Sequence, residues 1–214
     1  MHRIIKAHLE SFVASFGLQA DDEAIQFEKF AAHCVIANRY SGTFELDDVV
    51  TGQGDDSIDS VAVVIDEVVT TSVEDAQAIF AAPRRNHDVD VLFVQAKRSE
   101  AFDLGAFLKF KEGVLRFANQ NPYATTDEVL SDARSMFEVV MKEVPKLRNG
   151  RPSLMARFIT TGLYQRPQAL ETALADFVSQ LVELGLFHEI DVRFVDREEL
   201  TRLCDKLLQV PRFG

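Results

Sequence analysis

Two stretches of this sequence combine residue types that can hydrolyse a phosphodiester. Gly54-Asp55-Asp56-Ser57-Ile58-Asp59 carries an acidic loop into an apolar, β-branched segment. Val91-Leu92-Phe93-Val94-Gln95-Ala96-Lys97 carries an apolar strand pattern out into Gln and Lys. Gln95 and Lys97 are two apart, so on a strand they face one side. Burying a lysine on a central strand is costly unless an anion meets it. An aspartate from a neighbouring strand would do so. With the Gln95 oxygen and a backbone carbonyl it would also begin an oxygen cage for Mg2+ (or Mn2+). A metal so held lowers the pKa of a bound water and polarises a phosphoryl oxygen. A lysine beside it orients that water and stabilises charge developing at phosphorus. The same residues could form a plain ion pair at the end of a sheet, and spacing alone leaves both readings open.

The elements around these stretches read as α/β. Ile4 to Phe16 has helical periodicity and is stopped by Gly17. A second helix, with Asp21 and Asp22 at its cap, carries Phe27, Phe30 and Cys34 and ends before Gly42. Asp47 to Asp56 reads as a turn-rich loop, Ile58 to Ile65 as a buried strand, and Val68 to Thr71 as its hairpin partner. Ser72 caps a short helix to Ala82, and Val89 to Gln95 is the next strand. Helices follow over Asp103–Gln120 and from a Thr126 cap to about Leu147. Leu154 to Thr161 is a strand, Pro167 to Gly185 a helix, Ile190 to Val195 a strand and Glu198 to Leu208 a helix. This order predicts a mixed sheet with an antiparallel hairpin at one end and crossover helices at the other.

Composition narrows the function classes. The 214 residues carry 23 Lys and Arg against 34 Asp and Glu, a net charge of −11, which argues against a passive basic DNA-coating protein. The deficit lies early: residues 1–96 hold six Lys or Arg against 17 Asp or Glu. Two cysteines, Cys34 and Cys204, are too few for a disulfide framework or a Cys-only zinc site, and Cys34 reads as core packing. There is no GxxxxGK[ST], no GxSxG, no HExxH and no ligand spacing among the five histidines. No apolar run reaches the length of a membrane span, and the opening MHRIIKAHLESF lacks a secretory pattern, so a cytoplasmic location without a membrane partner is expected.

The strings quoted above resemble the PD-(D/E)xK nuclease superfamily. The nearest form is the Mrr-type restriction endonuclease, in which a G-D-x-G-[IV]-D loop precedes Q-x-K. The longer string Phe93-Val94-Gln95-Ala96-Lys97-Arg98-Ser99-Glu100-x-Phe102-Asp103, with the helix Phe107 to Phe117 after it, is similar to the N-terminal region of the abortive-infection phage-resistance (AIPR) family. The acidic Ser72-Val73-Glu74-Asp75 segment fits that family too. The resemblance covers roughly Gln26 to Phe194.

It implies a restriction-endonuclease-like mixed sheet of about five strands, flanked by helices, in a single domain over 1–214. That domain has a leading helix (1–20), an αβββαβ-type core (21–195) and a C-terminal helix and tail (196–214). It implies Asp59 as the metal-binding aspartate, Gln95 in the Asp/Glu slot, Lys97 as the lysine, and Glu28, in Phe27-Glu28-x-Phe30, as the helix glutamate. Asp55 matches the loop aspartate, a further metal ligand. The implied activity is metal-dependent cleavage of nucleic acid, DNA in the first instance, in phage defence by abortive infection or restriction. Arg98, Lys146, Arg148 and Arg151 are the candidates for phosphate contact.

The sequence departs from the pattern in three ways: Gln95 replaces a carboxylate, Ser57 stands where Gly is common, and the gap from Asp59 to Gln95 is long. A catalytically degenerate module for sensing, nucleic-acid binding or oligomerisation is the alternative, favoured by Gln95, the acidic surface and 17 Phe against no Trp. A phosphodiesterase for small nucleotides would use the same residues. A homodimer, and further domains of a longer chain, are open expectations.

Overall fold

A computed structural model describes residues 1–40, 42–52 and 57–209. The apolar run of β3 (Val89–Lys97) forms the centre of a five-stranded sheet because both of its faces can be buried. Antiparallel to it lies β1 (Ser60–Ile65), which pairs outward with the short β2 (Val68–Thr70). On its other side β4 (Ser153–Thr160) and β5 (Glu189–Val195) run parallel, giving the order β2-β1-β3-β4-β5. The α/β class, the mixed sheet and the hairpin at one end are as the sequence predicts.

Alternation along β3 separates two cores. Val91 and Phe93 point into a layer built by α3 (Val73–Ala81), α4 (Leu104–Asn119), α5 (Glu128–Lys142) and α6 (Gln168–Leu184). Leu92, Val94 and Ala96 face α1 (Arg3–Phe16), α2 (Glu23–Ile36) and α7 (Arg197–Gln209). Parallel pairing demands crossovers, which α4 with α5 and then α6 supply. The first layer is rich in phenylalanine: Phe107 meets Phe158 edge-on at 5.5 Å and Phe194 at 4.6 Å. Each fully buried Phe contributes about 1.5–3 kcal/mol. Nine of the 17 Phe are among the most completely buried side chains, so this content serves the core and gives no support to an interaction surface.

Element ends follow local chemistry. Gly17, with φ 69°, closes α1 by donating to the Val13 carbonyl. Ser72 caps α3 through the Asp75 N–H, as predicted. The cap of α5 is Asp127, not Thr126, and α5 stops at Lys142 before a 3-10 turn at Val144–Lys146 instead of continuing to Leu147. Pro145 lies within that turn, where the missing N–H of proline interrupts α-helical bonding. The strand expected from Ile58 begins at Ser60, and β3 runs on to Lys97. Cys34 and Cys204 are buried free thiols whose sulfurs meet at 2.8 Å between α2 and α7, in keeping with a packing role. Among the described residues no helix is long and apolar enough to cross a membrane.

Candidate functional site

The C-terminal end of β3 and the entry to β1 lie side by side because the two strands are antiparallel. Ser60 stands opposite Val94, so the next residue outward, Asp59, comes opposite Gln95. The Asp59 backbone is fixed on both sides: its N–H donates to the Val94 carbonyl at 2.9 Å, and its carbonyl accepts from Thr51 N–H at 3.0 Å. The carboxylate is fixed as well. Asp59 Oδ2 accepts from Gln95 Nε2 and from the Ala96 backbone N–H, both at 2.7 Å.

Strand alternation sends Gln95 and Lys97 to the same side. Lys97 lies close enough to stabilise the Asp59 carboxylate electrostatically. Burial nevertheless pushes the Asp59 carboxyl above its ordinary range, against the combined pull of Lys97 and the two hydrogen bonds. Gln95 is 1% exposed, and among the described residues its Oε1 has no hydrogen-bond partner. A buried carbonyl oxygen without a partner is costly and calls for an explanation such as a water or an ion.

Glu28 approaches from α2, on the face opposite the phenylalanine-rich layer. Phe27, Phe30 and Ala31 bury the inner side of that helix and bring the glutamate to the strand end. Burial, then the Asp59 charge, raise its carboxyl to about 7, while Lys97 and Arg98 pull it down. Three of the residues named for catalysis, Asp59, Gln95 and Lys97, therefore meet at one sheet end, and Glu28 lies within their electrostatic field. Arg98, exposed beside them, reaches Glu23 of α2 at 3.4 Å. Asp55 lies outside the described residues.

The second basic group is elsewhere. Lys146, Arg148 and Arg151 precede β4, which is parallel to β3, so they sit at the start of the sheet, roughly 25 Å of strand from Lys97 at about 3.3 Å per residue. Each is engaged there: Lys146 with Glu143 at 2.7 Å and the Phe80 carbonyl at 2.8 Å, Arg148 with Asp88 at 2.8 Å, Arg151 with the Gly185 carbonyl at 3.0 Å. They do not flank the Asp59 site. Of the helix lysines, Lys111 is ion-paired to Asp176.

Two supporting residues escape a reading of the sequence. Asp127 caps Leu130 N–H through Oδ1 at 2.9 Å and accepts Gly52 N–H through Oδ2 at 2.6 Å, tying the approach to the acidic loop onto α5. Gly162 lets the chain after β4 pass against the Glu100 carbonyl, which a Cβ there would meet at 1.9 Å. Thr161 beside it receives the loop after Lys97, donating its N–H to the Ser99 carbonyl and its hydroxyl to the Arg98 carbonyl. The cue for Asp127 was present in Thr125-Thr126-Asp127, where each residue is a good cap.

Among the described residues no three His, Cys, Asp or Glu side chains converge in a metal-binding group. The Asp59 carboxylate and the Gln95 side-chain carbonyl are oxygen donors of the kind that suits a hard divalent cation, although it is Gln95 Nε2 that faces Asp59. Comparison with protein-family models, with curated proteins and with solved structures finds no match.

Proposed function

We propose that this chain is a PD-(D/E)xK-type, Mrr-like endonuclease domain of the AIPR kind, cleaving nucleic-acid phosphodiesters, with DNA as the first substrate to test, in phage defence. The observation that carries the reading is the Asp59–Gln95 contact at 2.7 Å, with Lys97 following on the same strand side. Asp59 and Gln95 Oε1 would hold Mg2+ or Mn2+, with Asp55 as a further ligand. When bound, the ion would polarise a phosphoryl oxygen and acidify a water. The Lys97 ammonium would orient the attacking water and stabilise the negative charge that grows on the phosphoryl group. Glu28, with its carboxyl near 7, would exchange a proton with that water or the leaving oxygen at neutral pH. Arg98 would contact a flanking phosphate.

The test is direct. Purified protein with Mn2+ is incubated with phage DNA, plasmid and RNA, beside Asp59→Ala and Lys97→Ala. Cutting by the wild type alone supports the reading; intact substrates in every tube count against catalysis.

One observation favours a second reading. Gln95 brings no charge to the carboxylate slot, and its amide already satisfies Asp59 Oδ2 without a metal. A non-catalytic nuclease-fold module would need nothing more. Calorimetric titration with Mn2+ separates the two: saturable binding that Asp59→Asn abolishes supports the enzyme, and no binding supports the module.

A further inference from the structure

Away from this site the described residues of this acidic chain line a markedly basic cavity. It encloses about 490 Å3, within the roughly 300–1,000 Å3 of small-molecule pockets. It lies between α2, α7 and the β4–β5 edge, and none of Asp59, Gln95, Lys97 or Glu28 lines it. Six cationic side chains surround it: Arg39, Arg157, Arg166, Arg193, Arg202 and Lys206. Asp196 and Glu199 oppose them from the lining, Glu199 paired to Arg202 at 2.6 Å, and from outside it Asp90 reaches Arg39 at 3.7 Å and Glu171 reaches Arg166 at 3.4 Å. These residues come from five separate segments of a chain whose net charge is −11, so general composition does not account for their convergence.

The deepest cation is the most telling. Arg157 is 9% exposed on β4, bonded through Nη2 to Asp191 at 2.6 Å and through Nη1 to the Asp191 carbonyl at 2.8 Å. That one carboxylate also serves Arg193, at 2.7 Å, so two guanidiniums share a single negative charge. Burial, together with the like charges of Arg193 and Arg39, disfavours the Arg157 cation despite Asp191. A further anion in the cavity would relieve that imbalance. Arg166 completes the rim with its backbone in the left-handed region, φ 53°, a conformation that is strained for a non-glycine residue.

The remaining wall is apolar. Val35, Met155, Phe194 and Leu203 line it, with Tyr164 packed on Phe194 at 4.6 Å between ring centres. Guanidiniums are suited to bidentate capture of phosphate, and an aromatic wall is suited to a flat ring. We infer that this cavity binds a nucleotide, its phosphate held by the arginines and its base laid against the apolar wall.

Calorimetry on the whole chain in EDTA and low salt, with AMP, ATP and inorganic phosphate as probes, tests the assignment. Arg193 and Arg202 have side chains 67% exposed, so Arg193→Glu with Arg202→Glu reverses the charge at the cavity without touching the core. Expected are saturable binding of AMP or ATP, at least about tenfold weaker binding of inorganic phosphate, and about a tenfold or greater loss in the double variant, whose thermal melt confirms that it is folded. Asp59→Asn is expected to bind as wild type does, which separates this cavity from the proposed metal site. No saturable nucleotide binding, equal affinity in the folded double variant, or a single-stranded oligonucleotide binding more than about tenfold tighter than its mononucleotide would each overturn the assignment.

Discussion

Gln95 donates its side-chain amide to Asp59 across 2.7 Å, and its own buried carbonyl oxygen meets no partner among the described residues. The reverse orientation would set that oxygen against a carboxylate. The pair thus presents two oxygen donors from adjacent strands, with only one formal charge.

Replacing Gln95 with Glu adds the missing charge. Without metal, two carboxylates in contact repel, and one must hold a proton. In EDTA, Gln95→Glu is expected to lower the melting temperature. With Mn2+ it is expected to show a larger metal-induced rise than wild type and at least about tenfold tighter Mn2+ binding, because a second anionic ligand joins the ion. Paired thermal melts with and without Mn2+ check the change of sign; a variant insensitive to metal would remove Gln95 from the site.

Lys97→Ala separates charge stabilisation from metal holding. Cutting is expected to fall by about a hundredfold or more, in line with loss of a transition-state cation, while Mn2+ still binds. Single-turnover cleavage and calorimetry on the same preparation read the two quantities. Equal loss of both would make Lys97 a structural counter-ion.

The raised Glu28 carboxyl has a stability consequence. In the unfolded chain it titrates near 4.5, in the folded chain near 7. Between those values the folded state holds the extra proton. Stability therefore falls as pH rises through about 4.5 to 7, and the ionised carboxylate is a cost above that window. Asp59, also raised by burial, acts in the same sense. In metal-free urea melts, Glu28→Gln is expected to flatten the slope between pH 4.5 and 7 and to be more stable than wild type at about pH 8. An unchanged slope would show that Glu28 is solvated.

Gly162→Ala should be severe for a surface-length change of one methyl. The new Cβ would lie 1.9 Å from a backbone oxygen, so strand end and loop must part. About 2–3 kcal/mol of destabilisation is expected, roughly 5–10 °C at this chain length. Because Thr161 holds the segment after Lys97, cleavage should drop further than the stability loss explains. A melt within about 1 °C of wild type would refute the close approach.

Particular residues show what could be read from the chain. The apolar run of β3 ending in Gln95 and Lys97, and the β-branched run after Asp59, placed both strands and their polar ends, because burial on two faces leaves a plain signature. Ser57 departs from the Gly of the pattern, and the structure gives the reason a Gly suits that slot: its φ is 54°, left-handed. Position along the sheet was harder. Lys146, Arg148 and Arg151 look near the site in composition, yet a turn that feeds a parallel strand must sit at the opposite end from where β3 finishes. Asp127 and Gly52 are 75 residues apart, and no local pattern announces their bond. The arginines of the β5-side cavity are likewise scattered, and only the folded sheet gathers them.

Asp127 answers two demands with one carboxyl group, closing the first turn of α5 and gripping Gly52. Any displacement of the Thr51-Gly52 stretch must therefore either drag that helix end along or strip it of one anchor, at a cost near the ~1 kcal/mol of a lost cap. The approach to the acidic loop and a crossover helix are thus tied by one side chain, so strain applied at the distant end of α5 has a route to the stretch whose Thr51 N–H holds the Asp59 backbone.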